Sequence, residues 1–150
     1  MNLIDLSDAD GNRCIVRVTG RYQPGVPTGH DILQADVLVS ASFVDARLEL
    51  YILQQDLDDW RNDLIELAPG GGATIGGDRG LSLDFFMFDH RTLSLSLRDP
   101  DRMTVALAIA PEEGWIDDHH RRLDQVRATW PSEVVMTATG TYAWRSGRRD

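Results

Sequence analysis

Leu48 to Leu67 reads LELYILQQDLDDWRNDLIEL, and within it the apolar period changes from two to nearly four. Leu48, Leu50 and Ile52 alternate with Glu49 and Tyr51, the pattern of a strand with one buried face. Leu57, Trp60, Leu64 and Leu67 then recur at intervals of three, four and three, which places them along one stripe of a helix. Asp56, Asp58 and Asp59 crowd the start of that helix, where carboxylates meet the positive end of its dipole. Pro69 and Gly70 to Gly72 stop it. Burying each large side chain of the stripe is worth about 1.5–3 kcal/mol, enough to hold the helix on a sheet. The opposite face presents Asp59, Asn62, Asp63 and Glu66.

Working outward, the residues before this join are strand-rich. Asp31 to Phe43 alternates, with Leu33, Ala35, Val37, Val39 and Ala41 on one face; a tight turn is expected near Val44-Asp45-Ala46. Arg13 to Tyr22 also alternates, Ile15 opposing Val16 and Val18, and Met1 to Leu6 predicts a short edge strand. Residues 8–12 are a turn cluster and 24–29 a loop.

After the helix, Leu81 to Met87, Leu93 to Leu97 and Met103 to Ile109 alternate in the same way, with Asp99-Pro100-Asp101 as a turn. Residues 111–130 return to helical spacing until Pro131, and Glu133 to Trp144 predicts one last strand. The run GGGATIGGDRG, 70–80, matches neither G-x-G-x-x-G nor G-x-x-x-x-G-K-[ST] and predicts a flexible loop. The expected fold is α+β: one antiparallel sheet of two meanders with both amphipathic helices packed on one side. Its order is strands, helix, strands, helix, strand, in a single domain over residues 1–150. A helix after each meander hints at a loose internal duplication.

Composition narrows the chemistry. With 150 residues, 42% hydrophobic and 26% charged, the chain suits one globular domain whose core needs no metal or disulfide staple. Cys14 is the only cysteine, set in an alternating run, which points to a small apolar strand residue. All 15 basic residues are arginine, which excludes lysine Schiff bases, phosphate-loop lysines and lysine general bases. The net charge of −9 argues against nucleic acid or an anionic membrane and fits a basic protein partner. No run approaches the ~20 apolar residues that span a bilayer. MNLIDLSDADGN lacks the basic start and apolar core of a secretory signal, so a cytoplasmic location is expected. The basic run Arg145-Ser-Gly-Arg148-Arg149 predicts a frayed tail.

GWIDDHHRRLD, 114–124, carries the densest set of chemically capable side chains. At about 100° per residue, Ile116, Leu123, Val126 and Trp130 share one arc. His119 falls inside that arc and His120 about 100° away at its rim, so the two cannot hold one ion from a regular helix. His120 and Asp124 are four apart, but zinc wants three or four ligands, and His30 and His90 cannot be placed beside them from sequence. Asp89-His90-Arg91 predicts a polar hairpin turn with no nucleophile beside it. No G-x-S-x-G or H-E-x-x-H is present. Trp115, Tyr142 and Trp144 are candidates for a shared groove.

WPSEVVMTATGTYAWR, the preceding WIDDHHRRLDQVRAT, VRVTGRYQPGV near the start and LQQDLDDWRNDLIELAPG in the middle resemble a family of small actinobacterial proteins of unknown function. That resemblance implies no catalytic residues. At a looser, architectural level the strand–strand–helix order with a central tryptophan resembles immunity proteins of polymorphic-toxin systems. The reading that follows is a non-enzymatic protein-binding or immunity-like module without metal or cofactor. It meets a basic partner through Asp59, Asp63 and Glu66. The alternative is a small-ligand or metal-dependent enzyme using His119, His120 and Asp124.

Overall fold

A computed structural model describes residues 1–78 and 80–145, so the frayed tail expected over 145–149 lies, apart from Arg145, outside the described residues. β1 (Asn2–Ser7), β2 (Arg13–Arg21), β3 (Leu33–Ala41) and β4 (Val44–Ile52) form a four-stranded antiparallel sheet in chain order. Register sets Val16 opposite Val37 and Val37 opposite Leu48, with Val18, Ala35 and Leu50 in the next row. All six are buried. The adjacent row, Arg17, Asp36 and Glu49, faces the other way, because strand side chains alternate. The β3–β4 turn sits at Ser42-Phe43, earlier than the expected 44–46, with Ala41 paired to Val44. That two-residue turn keeps Leu48 and Leu50 on the apolar side, and a one-residue slip would turn both toward water. Cys14 is fully buried in β2, and burial together with the Asp5 charge pushes its thiol up to about 12.

α1 (Gln54–Glu66) follows, and Leu57, Trp60 and Leu64 of the predicted stripe are buried, whereas Leu67 falls just past the helix end in extended backbone and is half-buried. Its first turn is closed by the Leu53 N–H donating to Asp56 Oδ2 at 2.8 Å. The glycine-rich run is not a loop: Gly72–Gly76 forms β5, the first strand of a second sheet continued by β6 (Ser82–Met87), β7 (Leu93–Asp99) and β8 (Met103–Ile109). Ala73 and Ile75 point inward at strand spacing, and glycine is what the neighbouring positions require. A Cβ on Gly72 would lie 2.6 Å from the Phe85 carbonyl oxygen, and one on Gly76 (φ 84°) 2.5 Å from Leu50 Cδ1. The glycines that resemble a flexible linker in sequence are therefore the means by which β5 approaches β6 and the first sheet.

α2 (Trp115–Thr129) ends before Pro131 as expected. The single last strand is instead a hairpin, β9 (Val134–Ala138) and β10 (Thr141–Trp144), reversed at Gly140 with φ 75°. Among the described residues it pairs with neither four-stranded sheet, so these residues form three antiparallel sheets rather than one, and the order ends in two strands. Nor do the helices share one side of one sheet. α1 packs on β5, α2 on β1, and the helices touch each other. Both large sheets and both helices bury their apolar faces in one continuous core. Trp60 is buried in it, with its ring 5.1 Å from that of Phe85. Among the described residues no helix is long and apolar enough to cross a membrane.

Candidate functional site

The outward face of α1 gathers carboxylates for a simple geometric reason. At about 100° per residue, Asp59, Asp63 and Glu66 fall within about 60° of one another, beside the buried Trp60–Leu64 stripe. Asp63 lies nearest that stripe and is half-buried, whereas Asp59 and Glu66 are exposed. Partial burial, and then the charges of Asp59 and Glu66, raise the Asp63 carboxyl above its ordinary range. Among the described residues no arginine reaches ion-pair distance of Asp59, Asp63 or Glu66, although Asp58 on the same helix pairs with Arg127 of α2. Among the described residues Asp59 accepts from a neutral donor, Gln55 Nε2, at 2.9 Å.

A shallow groove of about 410 Å³ runs from Asp59, Asn62 and Asp63 across to Thr74 and Asp84 on the second sheet. Asp84 accepts from Thr74 Oγ1 at 2.8 Å and has one distant cation, Arg98, at 3.8 Å. Asp56, at the helix start, is also raised, chiefly by burial, while hydrogen bonds from the backbones of Leu53 and Gly76 pull the other way. The structure therefore places the three predicted partner-binding residues on one acidic, under-neutralised surface, and Asp84 joins them from a position sequence spacing could not reveal.

His119 lies inside, 1% exposed. The backbone N–H of Asp5 donates to its Nε2 at 3.1 Å, so Nε2 is an acceptor, and Nδ1 donates to the Trp115 carbonyl at 2.6 Å. Both nitrogens of a neutral ring are used. Burial first, with a contribution from Arg122, lowers its pKa below the ordinary histidine value. The ring also sits edge-on to Trp115 at 5.7 Å. His119 thus clips α2 to β1 and has no nitrogen left for a substrate or an ion.

His120 is on the half-buried rim and Asp124 is exposed. His90 is exposed in the β6–β7 turn, where Asp89 Oδ1 accepts the N–H groups of Arg91 and Thr92 at 2.8 Å each. No cluster of three or more metal-capable side chains forms among the described residues. Of the three candidate groove aromatics, Trp115 lies apart, edge-on to His119, whereas Tyr142 and Trp144 share one face of β10, Trp144 with its ring centroid 4.8 Å from that of His30 and Tyr142 lining a small cavity with Pro27 and Ile32.

The most connected polar centre was not visible in sequence. Asp31 Oδ2 accepts from Ser132 Oγ at 2.8 Å and from the Val134 N–H at 3.0 Å, and Oδ1 accepts the Glu133 N–H at 2.9 Å. Arg21 reaches Asp31 at 3.3 Å, Glu133 at 3.0 Å and the Pro131 carbonyl at 2.8 Å. His30, also buried, accepts the Gly25 N–H on Nδ1 at 2.8 Å and meets Glu133 through Nε2 at 3.1 Å. Residues 131–134 lie about a hundred residues from Arg21, His30 and Asp31, so no spacing rule could pair the two groups. Every group here has a protein partner, which makes the cluster an anchor for the C-terminal hairpin.

A family model described as a family of unknown function (DUF5959) matches residues 1–131. The match spans VRVTGRYQPGV, LQQDLDDWRNDLIELAPG and WIDDHHRRLDQVRAT, whereas the run from Ser132 onward lies outside it. No curated protein and no solved structure matches the chain.

Proposed function

The chain belongs to the DUF5959 family of unknown function, and we propose that it is a non-enzymatic cytoplasmic binding module that docks a basic protein on the acidic face of α1. One observation carries this reading. Asp59, Asp63 and Glu66 share one helix face with no cation in ion-pair range among the described residues, where partial burial first, and then the Asp59 and Glu66 charges, raise the Asp63 carboxyl. Such an arrangement costs stability in the free protein and is relieved when arginine or lysine side chains of a partner arrive. The groove toward Thr74 and Asp84 extends the same potential beyond one helix. A toxin with a basic surface would suit this face, which is the immunity-like form of the reading.

The test is capture of partners from source cells by the tagged protein and by an Asp59→Arg, Asp63→Arg, Glu66→Arg variant of unchanged circular dichroism. A basic protein retained by the wild type, released by moderate salt and lost with the variant supports the assignment. Equal retention by both removes α1 as the docking face.

A further inference from the structure

We infer that the basic partner proposed above is held as an extended segment, added as a further strand along the outer edge of β5 beside the carboxylates of α1. This mode of capture rests on the acidic-face reading and deepens it. The Met87 N–H donates to the Gly71 carbonyl at 2.8 Å, and the Gly77 N–H to the Leu81 carbonyl at 2.9 Å. Between these two bonds the register is unbroken, from Gly72 opposite Phe86 to Gly76 opposite Ser82. Bonded and non-bonded pairs alternate along an antiparallel ladder. Ala73 and Ile75 therefore bond to β6, while Gly72, Thr74 and Gly76 turn their N–H and C=O groups outward.

The fold already uses one of these outward groups, since Asp56 of α1 accepts the Gly76 N–H. Gly72 and Thr74, further along the same edge, are exposed, and among the described residues β5 has no strand neighbour but β6. α1 packs on β5 from the face that carries the buried Ala73 and Ile75. Gly72, Ala73 and Thr74 line one side of the 410 Å³ groove, and Asp59, Asn62 and Asp63 the other. Exposed edges are ordinarily protected by charge or proline, and Gly72 to Gly76, GATIG, carries neither.

Charge selects the occupant. A strand added here lies about 4.8 Å from β5, within the groove, and its side chains alternate between two faces. One set meets Asp59 and Asp63, which have no cation in ion-pair range among the described residues. The other set meets Asp84, which bonds Thr74 Oγ1 on the far face of the sheet and has Arg98 only at 3.8 Å. An acidic segment is repelled on both faces, and a neutral one desolvates these carboxylates without compensation. Arginine or lysine finds a counter-charge in either set. Backbone bonds to Thr74 and Gly72 supply affinity, and the flanking acids supply the preference for basic sequence.

Titration calorimetry of the full chain with an end-blocked Arg-Val-Arg-Val-Arg peptide tests it. The same peptide N-methylated at every backbone nitrogen keeps its charge and binds at least about tenfold more weakly, because its strand bonds are gone. Thr74→Pro removes an outward N–H while leaving the bonds to β6, and it weakens the unmodified peptide likewise. Hydrogen exchange of the wild type covers the case in which that variant does not fold: the Thr74 amide gains protection when the peptide binds. Equal binding of both peptides, or no new protection at Thr74, overturns strand addition. The acidic docking face still stands in that case if the Asp59→Arg, Asp63→Arg, Glu66→Arg variant loses the peptide, and falls with it if that variant binds undiminished. A wild type that does not bind the unmodified peptide at millimolar concentration also overturns the inference.

Discussion

The backbone N–H of Glu133 donates to the carboxylate of Asp31 at 2.9 Å, joining the start of β3 to the start of the C-terminal hairpin across a hundred residues of chain. The same carboxylate takes the Val134 N–H and the Ser132 hydroxyl and faces Arg21. Its removal strands two amide donors and takes from the largely buried Arg21 one of its two carboxylate partners, Glu133 remaining.

Asp31→Ala therefore destabilises the protein by roughly 2–4 kcal/mol, since hydrogen bonds to charged groups are worth more than neutral ones and their orphaned partners stay desolvated. Urea denaturation measures the loss. Hydrogen exchange adds the location: the amides of Glu133 and Val134 lose protection first. Unchanged protection there would contradict the anchoring role of Asp31.

His119 predicts a pH dependence with a definite sign. The unfolded imidazole takes its proton near 6.5, and the buried one only at lower pH. Between those values the unfolded chain holds more protons, so stability is full above about 6.5 and falls as the pH is lowered. A single histidine sets a limit of about 1.4 kcal/mol per pH unit. His119→Gln flattens that segment of the stability curve while lowering stability at neutral pH, because the Asp5 N–H and the Trp115 carbonyl lose their fitted partner. An equally steep acid limb in the variant would place the titration elsewhere.

Asp63→Asn raises the melting temperature at low ionic strength, because it removes a half-buried charge set between Asp59 and Glu66. The gain shrinks as salt screens those neighbours. On the docking proposed above, the same substitution weakens capture of a basic protein, so stability and binding move in opposite directions. A melting temperature that falls in dilute buffer would show that Asp63 is compensated in solution.

Gly76→Ala tests the glycine-rich strand. Its φ of 84° disfavours any L side chain, and the added methyl meets Leu50 Cδ1 at 2.5 Å and the Leu81 carbonyl at 2.7 Å. Backbone strain and overpacking together cost roughly 2–4 kcal/mol. Gly70→Ala shares the positive φ but meets nothing within 4 Å, and it loses distinctly less. Equal losses in urea would assign the whole effect to backbone conformation.

Local periodicity and tertiary structure divided the work unevenly. Alternation at Leu33, Ala35, Val37 and Val39, and the three–four–three spacing of Leu57, Trp60, Leu64 and Leu67, are read directly because each repeat matches the pitch of the element that buries it. The inward phase of His119 and the outward cluster of Asp59, Asp63 and Glu66 follow from the same arithmetic. The period weakens where glycine intervenes, and β5 is hidden there because its closeness to Phe85 and Leu50 is a fact about other strands. It also cannot show that Glu133 to Trp144 folds back at Gly140.

What the sequence determined alone is the kind of each long element, the face it buries and the excess of negative charge, all set within a few turns of chain. What only the tertiary structure decided is which faces meet: two four-stranded sheets and a separate hairpin, the Asp31–Arg21–Glu133 anchor, and the approach of Asp84 to the acidic helix. Those pairings depend on how sheets twist and on which surfaces close over one another, and no residue carries that information in its immediate neighbours.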